Sequence, residues 1–383
     1  MRMPDWEIGR ALGIPIRVHA SWFLVFVFMS WSLATGYLPE VLPGLSGQRY
    51  WGMGAVAALL LFVSVLLHEL GHSYVALRYH IPIGQITLFI FGGIAHMGKE
   101  PPNPRAEFLI AIAGPVVSLL LGAFCFGGAL IAEAILNVAG AQGFIVLGGL
   151  LGIVNVQLGL FNLIPGFPLD GGRVLRAGLW AWNKSFYRAT SQASTAGLVC
   201  GLVFMGIGGT LLGGAIAGAI DSSMTGNGGW LMFIGAFLVG AAWSARRQVG
   251  LRLALDATLV RDVMIRGMVA IPPDLSVQGA VDDFFVAYGF GGFPVMEEGR
   301  IVGVVTVDDV QAISQSLWSW RVVRDVMRPA APALFIPSDW SVKQALDRMI
   351  QEGWDRLVVT NDGKPIGLIT RSSVAKFFHL HKQ

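Results

Sequence analysis

The sequence predicts an α-helical polytopic membrane domain followed by a smaller, soluble α/β domain. Three observations support this fold class. The chain of 383 residues is 54% hydrophobic and only 13% charged, which is too apolar for an ordinary soluble domain. Long apolar stretches recur up to about residue 250, and each could cross a bilayer. From about Asp256 the composition becomes that of a soluble protein, and a repeated sequence begins.

The membrane domain is predicted over residues 1–250 and contains six candidate spans. Each span is near or above the roughly 20 apolar residues that a bilayer requires. The spans cover about residues 19–38, 53–78, 106–132, 143–164, 192–219 and 228–245.

Basic residues are distributed unequally between the two sets of connecting segments. One set carries Arg49 alone, and the other carries Arg2, Arg10, Arg17, Arg78, Lys99, Arg105, Arg173, Arg176, Lys184, Arg188, Arg246, Arg247 and Arg252. Because cytoplasmic segments are enriched in Lys and Arg, the richer set is predicted to be cytoplasmic, with both termini on that side. The formal net charge of +3 is small, and no nucleic-acid partner is expected.

The second span contains His68-Glu69-Leu70-Gly71-His72, an H-E-x-x-H sequence. On a helix, positions i and i+4 share a face, so His68 and His72 could hold one Zn²⁺, with Glu69 beside it as general base. Ionisable residues at such depth are costly and usually functional. The alternative is a pair of core histidines that bond neighbouring helices, but this interpretation leaves Glu69 unexplained.

The segment Ile81–Met97 is too short and too rich in glycine to span the bilayer. Its β-branched and aromatic residues, with Gly92 and Gly93 in the middle, predict a β-hairpin associated with the membrane. Open strand edges are not tolerated against lipid, so such a hairpin must pack on protein or line a wet cavity. A peptide could pair with its edge, and an ordinary re-entrant connector is the alternative.

A break rich in proline and glycine ends the fourth span between Asn162 and Arg173. Asp170 lies in this break, on the predicted cytoplasmic side where the histidines also lie. A carboxylate is a standard third zinc ligand, although Asp170 could instead cap a helix or pair with Arg173. Asn162 could bond a substrate backbone or only a neighbouring helix. Weaker ligand candidates are His19, His80, His96, His379 and His381.

These features together resemble the site-two protease family of intramembrane zinc metalloproteases. The resemblance rests on the HELGH helix, the Gly92-Gly93 hairpin, Ala113-Gly114-Pro115, and the stretch from Asn162 to Gly172. It implies that His68, His72 and Asp170 bind one zinc and that Glu69 activates water. It also implies regulated cleavage of membrane-spanning proteins. Asn162, Gly92 and Gly93 are expected to contact the substrate. The chain departs from many bacterial members because it has no room for a PDZ domain.

The soluble part contains two units about 64 residues apart. Val260-Arg261-Asp262-Val263-Met264 returns as Val323-Arg324-Asp325-Val326-Met327, and each unit is predicted to contain a strand, a helix, two strands and a helix. This repeat resembles a tandem pair of cystathionine β-synthase (CBS) domains, with boundaries at residues 256–318 and 319–383.

That second resemblance implies a module that binds adenosine nucleotides such as ATP or AMP. Gly303, Thr306 and Asp309 match the family's nucleotide-binding pattern, with Asp309 expected at a ribose. The second unit retains Thr370 but has Ser373 where aspartate is expected. The alternative is a purely structural module that mediates homodimerisation.

Two functions are compatible with the whole chain. The first is an intramembrane zinc protease in the cell membrane, regulated by nucleotides at the cytoplasmic CBS pair. The second is a CBS-regulated channel or transporter with a structural zinc site. Transporters often contain repeated halves, and no repeat is found among the six spans. The sequence therefore favours the protease, whose partners would be a membrane-spanning substrate and lipid.

Overall fold

The computed structural model describes residues 5–90, 92–136, 142–221 and 223–380. Arg2, which belongs to the predicted basic segments, and His381, a weaker ligand candidate, lie outside these ranges. The chain separates into two compact units, Met1–Val249 and Gly250–Gln383.

Six helices of the described chain are long and apolar enough to cross a membrane, which confirms the predicted spans. A short helix, Asp170–Asn183, lies between the fourth and fifth of them and was not predicted. In chain order, the helices are Ser21–Val41 (α1), Gly47–Arg78 (α2), Pro104–Leu136 (α3), Gln142–Asn162 (α4), Asp170–Asn183 (α5), Phe186–Ile216 (α6) and Met224–Ala257 (α7).

Several helices run beyond the predicted spans. α7 continues through Arg246, Arg247 and Arg252 to Ala257, whereas the apolar run ends near residue 245. Hydropathy predicts only the part of a helix that can lie in hydrocarbon. It therefore does not predict a polar extension of the same helix beyond the membrane. Large apolar side chains on the long helices are exposed, among them Phe124 at 78% and Phe144 at 76%. Exposed apolar side chains of this kind are expected to contact the acyl chains of lipids.

The first unit also contains a four-stranded sheet. The predicted hairpin is present as Ile83–Phe89 (β3) and Gly92–Met97 (β4). An unpredicted hairpin, Asp5–Ala11 (β1) and Ile14–His19 (β2), precedes α1 and extends the sheet to the order β1-β2-β3-β4. β2 runs parallel to β3, and all other pairs are antiparallel.

Burial in this sheet follows the alternation of side chains along each strand. Ile14, Ile16 and Val18 of β2 are buried, as are Ile86 and Leu88 of β3. Because β2 covers one edge of β3, the hairpin packs on protein as expected. β4 is an edge strand among the described residues, since β3 is its one partner there.

The second unit consists of two small α/β layers with separate apolar cores. One sheet has the order β6-β7-β8 and the other β5-β11-β10-β9. The strands are Ile265–Arg266 (β5), Gly292–Glu297 (β6), Arg300–Thr306 (β7), Arg328–Pro329 (β8), Phe335–Pro337 (β9), Arg356–Asn361 (β10) and Lys364–Thr370 (β11). The helices include Val260–Val263 (α8), Val277–Ala280 (α9), Val307–Gln311 (α10), Val323–Val326 (α11), Val342–Glu352 (α12) and Arg371–Leu380 (α13).

The two sequence repeats are interlocked. β5, which precedes the body of the first repeat, pairs with β11 of the second, and β8 of the second repeat pairs with β7 of the first. The second repeat has the predicted order of strand, helix, strand, strand and helix. In the first, a single bridge from Ile271 to Val295 stands in place of the first strand. Neither repeat therefore completes its sheet alone.

Candidate active site

The two histidines of H-E-x-x-H lie on one face of α2. A helix brings residues four apart onto the same face. His68 and His72 are both buried, and their Nε2 atoms are 3.2 Å apart. This burial is unusual for imidazoles in an apolar helix and requires polar partners.

Asp170 supplies the third polar group. The α4 helix ends at Asn162, and the proline- and glycine-rich loop returns the chain so that Asp170 begins α5. Its Oδ2 lies 3.2 Å from Nε2 of His68 and 3.1 Å from Nε2 of His72. Burial alone would raise the pKa of Asp170, but the hydrogen bonds to both histidines outweigh burial and hold that pKa well below its ordinary value.

Asp170 also approaches Arg173, with its Oδ1 4.0 Å from Nη1 of that side chain. Asp170 thus contacts both the histidines, as a zinc ligand would, and Arg173, as an ion-pair partner would. Oδ2 faces the histidines and Oδ1 faces Arg173. Ligand atoms from His68, His72 and Asp170 lie within 4.8 Å of one another, and the described residues contain no other such group of three. His19, His80, His96 and His379 do not join it.

The remaining nitrogen of each ring is fixed by α3. Nδ1 of His72 lies 2.7 Å from the carbonyl oxygen of Ile110, and Nδ1 of His68 lies 2.8 Å from Oγ of Ser118. A carbonyl only accepts, so Nδ1 of His72 donates, and in the neutral ring Nε2 then carries the lone pair that a metal would bind. Such contacts orient histidines that ligate metals.

Gly114 explains why Ala113-Gly114-Pro115 matters. A Cβ at this position would lie 2.2 Å from Nε2 of His72 and 2.7 Å from Nε2 of His68. Any larger residue would occupy the space in front of the two nitrogens. The α3 helix can therefore pass the site only with glycine here.

Glu69 faces β4. Its carboxylate interacts with the backbone amide of Ala95, and a Cβ at Gly93 would lie 2.5 Å from Cγ of Glu69. Gly92 adopts φ +125°, which side chains rarely permit. Both glycines thus have structural reasons to be present, independent of any substrate. Asn162 donates from Nδ2 to the carbonyl oxygen of Leu158 in its own helix.

A buried group of charges next to this site was missed from the sequence. Glu107 of α3 is fully buried and contacts Arg173 and Arg176 of α5. Burial lowers the pKa of Arg176, although Glu107 opposes that change. Glu107 is 66 positions from Arg173 and 69 from Arg176, and no sequence pattern predicts contacts at such separations. The two arginines of α5 were the one feature in the sequence that indicated a buried partner.

The predicted nucleotide residues of the first repeat bond to one another. Oδ2 of Asp309 accepts from the backbone N–H of Thr306 at 2.8 Å and from its hydroxyl at 2.6 Å, while Asp309 N–H donates to Thr306. This reciprocal arrangement caps α10. Gly303 lies against the next segment, because a Cβ there would be 2.7 Å from Sδ of Met327.

The second repeat has the same arrangement beside a cavity. Thr370 and Ser373 exchange hydrogen bonds at the start of α13, so serine replaces the aspartate as the capping residue. A cavity of about 670 Å³ is lined by Thr370, Ser373, the acidic Asp355 and three basic side chains, Arg356, Arg371 and Lys376. Arg356 is only 9% exposed, and its Nε has no hydrogen-bond partner among the described residues.

Comparison with known proteins identifies the family of this chain. A model of Peptidase family M50 matches residues 56–136 and 129–206, and a CBS domain model matches residues 260–314 and 323–380. Zinc metalloprotease MJ0392 of Methanocaldococcus jannaschii is 31% identical over 370 residues, which cover 97% of this chain and 95% of that protein. The chain belongs to Peptidase family M50.

Other relatives of this M50 protein are similar over nearly their full length. Rip3 of Mycobacterium tuberculosis, which carries the name of a zinc metalloprotease, is 32% identical over 98% of this chain and 93% of its own. The CBS domain of a bacterial CNNM/CorC family Mg²⁺ transporter, solved with ATP, is 22% identical with a TM-score of 0.31, covering 33% of this chain and 92% of that one. The full-length relatives favour the metalloprotease over the channel or transporter.

Proposed function

We propose that this M50 protein is a zinc metalloendopeptidase of the site-two type, which hydrolyses peptide bonds within or near the membrane-spanning helices of other proteins. One observation carries the proposal. Nε2 of His68, Nε2 of His72 and Oδ2 of Asp170 converge within 3.1–3.2 Å of one another, in a unit built on helices apolar enough to cross a bilayer.

The donor set fits zinc. Two imidazole nitrogens and one carboxylate oxygen form a standard catalytic set that leaves a fourth position open. The space that Gly114 leaves before the nitrogens supports this assignment, as do the contacts that fix Nδ1 of each ring. When bound, zinc lowers the pKa of a coordinated water toward about 7.

Glu69 is assigned as the general base. It follows His68 directly in the chain and is not one of the three converging ligands. Its carboxylate can accept the proton of the attacking water and pass it to the leaving amine, a role that contributes about 10²–10⁴-fold to rate. The amide of Ala95 holds this carboxylate on the side of β4.

The substrate is assigned to the free edge of β4. A peptide bond within an intact helix has its carbonyl engaged, so part of the helix must unwind before hydrolysis. An unwound segment that pairs with β4 would regain backbone hydrogen bonds. Gly93 contacts Glu69, so a strand on this edge would lie close to the proposed base. Asn162 has a second N–H that can bond the substrate backbone.

The CBS pair is assigned as the regulatory part of the chain, with an adenosine nucleotide as ligand. The cavity beside Thr370 and Arg356 supports this assignment more strongly than the capped Asp309 does, because Nε of the buried Arg356 has no hydrogen-bond partner among the described residues and phosphate oxygens would supply one. The proposal includes cytoplasmic termini and residence in the cell membrane. A homodimer through the CBS pair is a further part of it.

Cells that express Glu69→Gln in place of the wild-type protein provide the test. If the proposal holds, one or more membrane-spanning proteins accumulate uncut in the variant cells, and fragments that end within or beside a span disappear. Wild-type protein restored to the same cells should return those fragments. A membrane proteome that does not differ between the two strains contradicts the proposed activity.

A further inference from the structure

The buried charges on α3 and α5 have a geometry that concerns the proposed metal centre. Oε1 of Glu107 accepts from Nε of Arg173 at 3.2 Å and from Nη2 of Arg176. Its Oε2 is buried without a hydrogen-bond partner among the described residues. A fully buried carboxylate that leaves one oxygen unsatisfied is expensive, so its retention calls for an explanation beyond packing.

Arg173 connects this carboxylate to the site. The same guanidinium that contacts Glu107 has its Nη1 4.0 Å from Oδ1 of Asp170. The other oxygen of Asp170, Oδ2, is the one that approaches both histidines. Arg173 thus lies beside Oδ1 of Asp170, and Oδ2 is left to face His68 and His72.

Glu107 is also one helical turn before Ile110, whose carbonyl oxygen accepts from Nδ1 of His72. One turn of α3 therefore contacts both a proposed histidine ligand and, through Arg173, the proposed carboxylate ligand. Arg176 differs from Arg173 in this respect. It contacts Glu107 and stacks on the rings of Phe167 and Phe186, but no contact joins it to Asp170.

The charges of the cluster balance. Arg173 and Arg176 are positive, and Glu107 and Asp170 are negative, so the four side chains together are neutral. Loss of Glu107 would leave an excess positive charge beside a site that receives a cation. Loss of Arg176 would leave an excess negative charge there. Interactions between charges this close and this buried are only weakly screened.

We propose that Glu107 is a positioning residue for the metal centre. It holds Arg173 against Oδ1 of Asp170, so that Oδ2 alone is presented to the metal, and it balances the arginines that would otherwise repel the cation. This inference rests on the proposed zinc function, which supplies the metal. Glu107 contacts neither His68 nor His72 and takes no part in hydrolysis itself.

Zinc affinity separates positioning from packing. Full-length protein is purified in detergent as wild type, Glu107→Gln, Arg176→Met and Glu133→Gln, the last a change on the same helix, and zinc is titrated against a competing chelator. Glu107→Gln should lower the affinity by roughly 10–100-fold, as loss of such outer contacts commonly does. Arg176→Met breaks the same buried cluster but should bind zinc as tightly as wild type or more tightly, and Glu133→Gln should match wild type.

Cobalt(II) in place of zinc reports the ligand geometry directly. Four-coordinate cobalt absorbs visible light more strongly than five-coordinate cobalt, so a second Asp170 oxygen on the metal should weaken the band. Glu107→Gln should weaken it, and Glu107→Asp, which keeps the charge, should restore most of it. If Glu107→Gln does not fold, Arg173→Met tests the same contact and should also weaken the band.

Two results overturn the inference while leaving the proposed function intact. One is equal loss of zinc affinity in Glu107→Gln and Arg176→Met, which would make the cluster a packing element only. The other is an unchanged affinity and cobalt spectrum in Glu107→Gln or, should that variant not fold, an unchanged spectrum in Arg173→Met. Failure of the wild-type protein to bind zinc would instead contradict the proposed function, and the inference with it.

Discussion

Buried polar groups have partners at the proposed metal centre of the first unit, whereas one of them lacks a partner, among the described residues, at the cavity of the second. His68, His72 and Asp170 bond to one another, and each ring has a further partner on α3. In the second unit Arg356 is buried at the cavity without a partner for Nε, whereas Asp309, the residue its motif singles out, is satisfied by Thr306.

The difference shows that a sequence motif can produce a local structure without marking the place where a ligand binds. H-E-x-x-H predicts a site because helix geometry alone brings its two histidines together. The G-x-x-T-x-x-D pattern of the first repeat also produces a local structure, a helix cap, which needs no ligand. The buried arginine whose Nε has no hydrogen-bond partner among the described residues lies instead in the second repeat, where the motif is weaker.

The largest expected effect is at Glu69. Glu69→Gln should lower the rate of hydrolysis by about 10²–10⁴-fold, because an amide cannot accept the proton of the attacking water. Cleavage of a purified membrane-spanning substrate in detergent measures this loss, and His80→Gln, a change beyond the end of α2, is the matched control. A variant with near wild-type turnover would remove Glu69 from the chemistry.

The next effect is at Arg356. Arg356→Met should weaken binding of ATP to the full-length protein by about 10–150-fold, since hydrogen bonds to charged groups contribute about 1.5–3 kcal/mol each. The same change should leave the ligand-free protein as stable or more stable, because the cost of burying this guanidinium exceeds its attraction to Asp355, Asp309 and Asp308. Calorimetric titration with ATP and AMP measures binding. Unaltered affinity for both nucleotides would show that the cavity is not their site.

A smaller effect is expected when the edge strand is displaced. Ile94 lies opposite Thr87 of β3, and proline there cannot donate to the sheet. Ile94→Pro should therefore shift β4 and reduce cleavage by about 3–10-fold, because one or two neutral backbone hydrogen bonds to the substrate contribute about 0.5–1.5 kcal/mol each. Proline at Ile8 of β1, on the opposite edge of the same sheet, controls for damage to the sheet. Zinc content should be unchanged in both. Strand addition at β4 is wrong if cleavage by Ile94→Pro equals that by the control.

The smallest effect is at Asp309. Asp309→Ala removes a cap and should destabilise the second unit by about 0.5–2 kcal/mol. It should weaken nucleotide binding less than Arg356→Met does, and flatten the nucleotide response of cleavage, which typical coupling limits to roughly 5–150-fold. Basal cleavage should persist. Thermal unfolding and nucleotide titration of cleavage measure these quantities. An Asp309→Ala loss of affinity larger than that of Arg356→Met would reverse the assignment of the two repeats.

Much of the fold follows from periodic or repeated sequence. The six long helices are predictable because hydrocarbon demands long apolar runs, and the repeat at Val260 and Val323 shows the two related halves of the soluble unit. The first hairpin was missed because Ile14–His19 is short and merges with the apolar run of α1. The exchange of β5 and β8 between repeats depends on tertiary pairing, which repeat boundaries do not reveal.

The site divides in the same way. His68, Glu69 and His72 are close in sequence, and a broken helix end draws attention to Asp170. Glu107 is 66 positions from its partner Arg173. It lies in the first turn of α3, where acidic residues are common, so the neighbouring sequence does not indicate that it is buried. Gly114 is part of a recognisable stretch, but its reason, the space before two imidazole nitrogens, appears only when α2 and α3 are packed.

The zinc content of three purified proteins tests the central claim most directly. Wild type and Glu69→Gln should each hold about one zinc per chain after dialysis, since Glu69 is not a ligand in this account, and His68→Ala should hold almost none. Metal is measured by atomic absorption on full-length protein that elutes as a single species. Loss of zinc from Glu69→Gln, or full retention by His68→Ala, would contradict the proposed division between the ligands and the base.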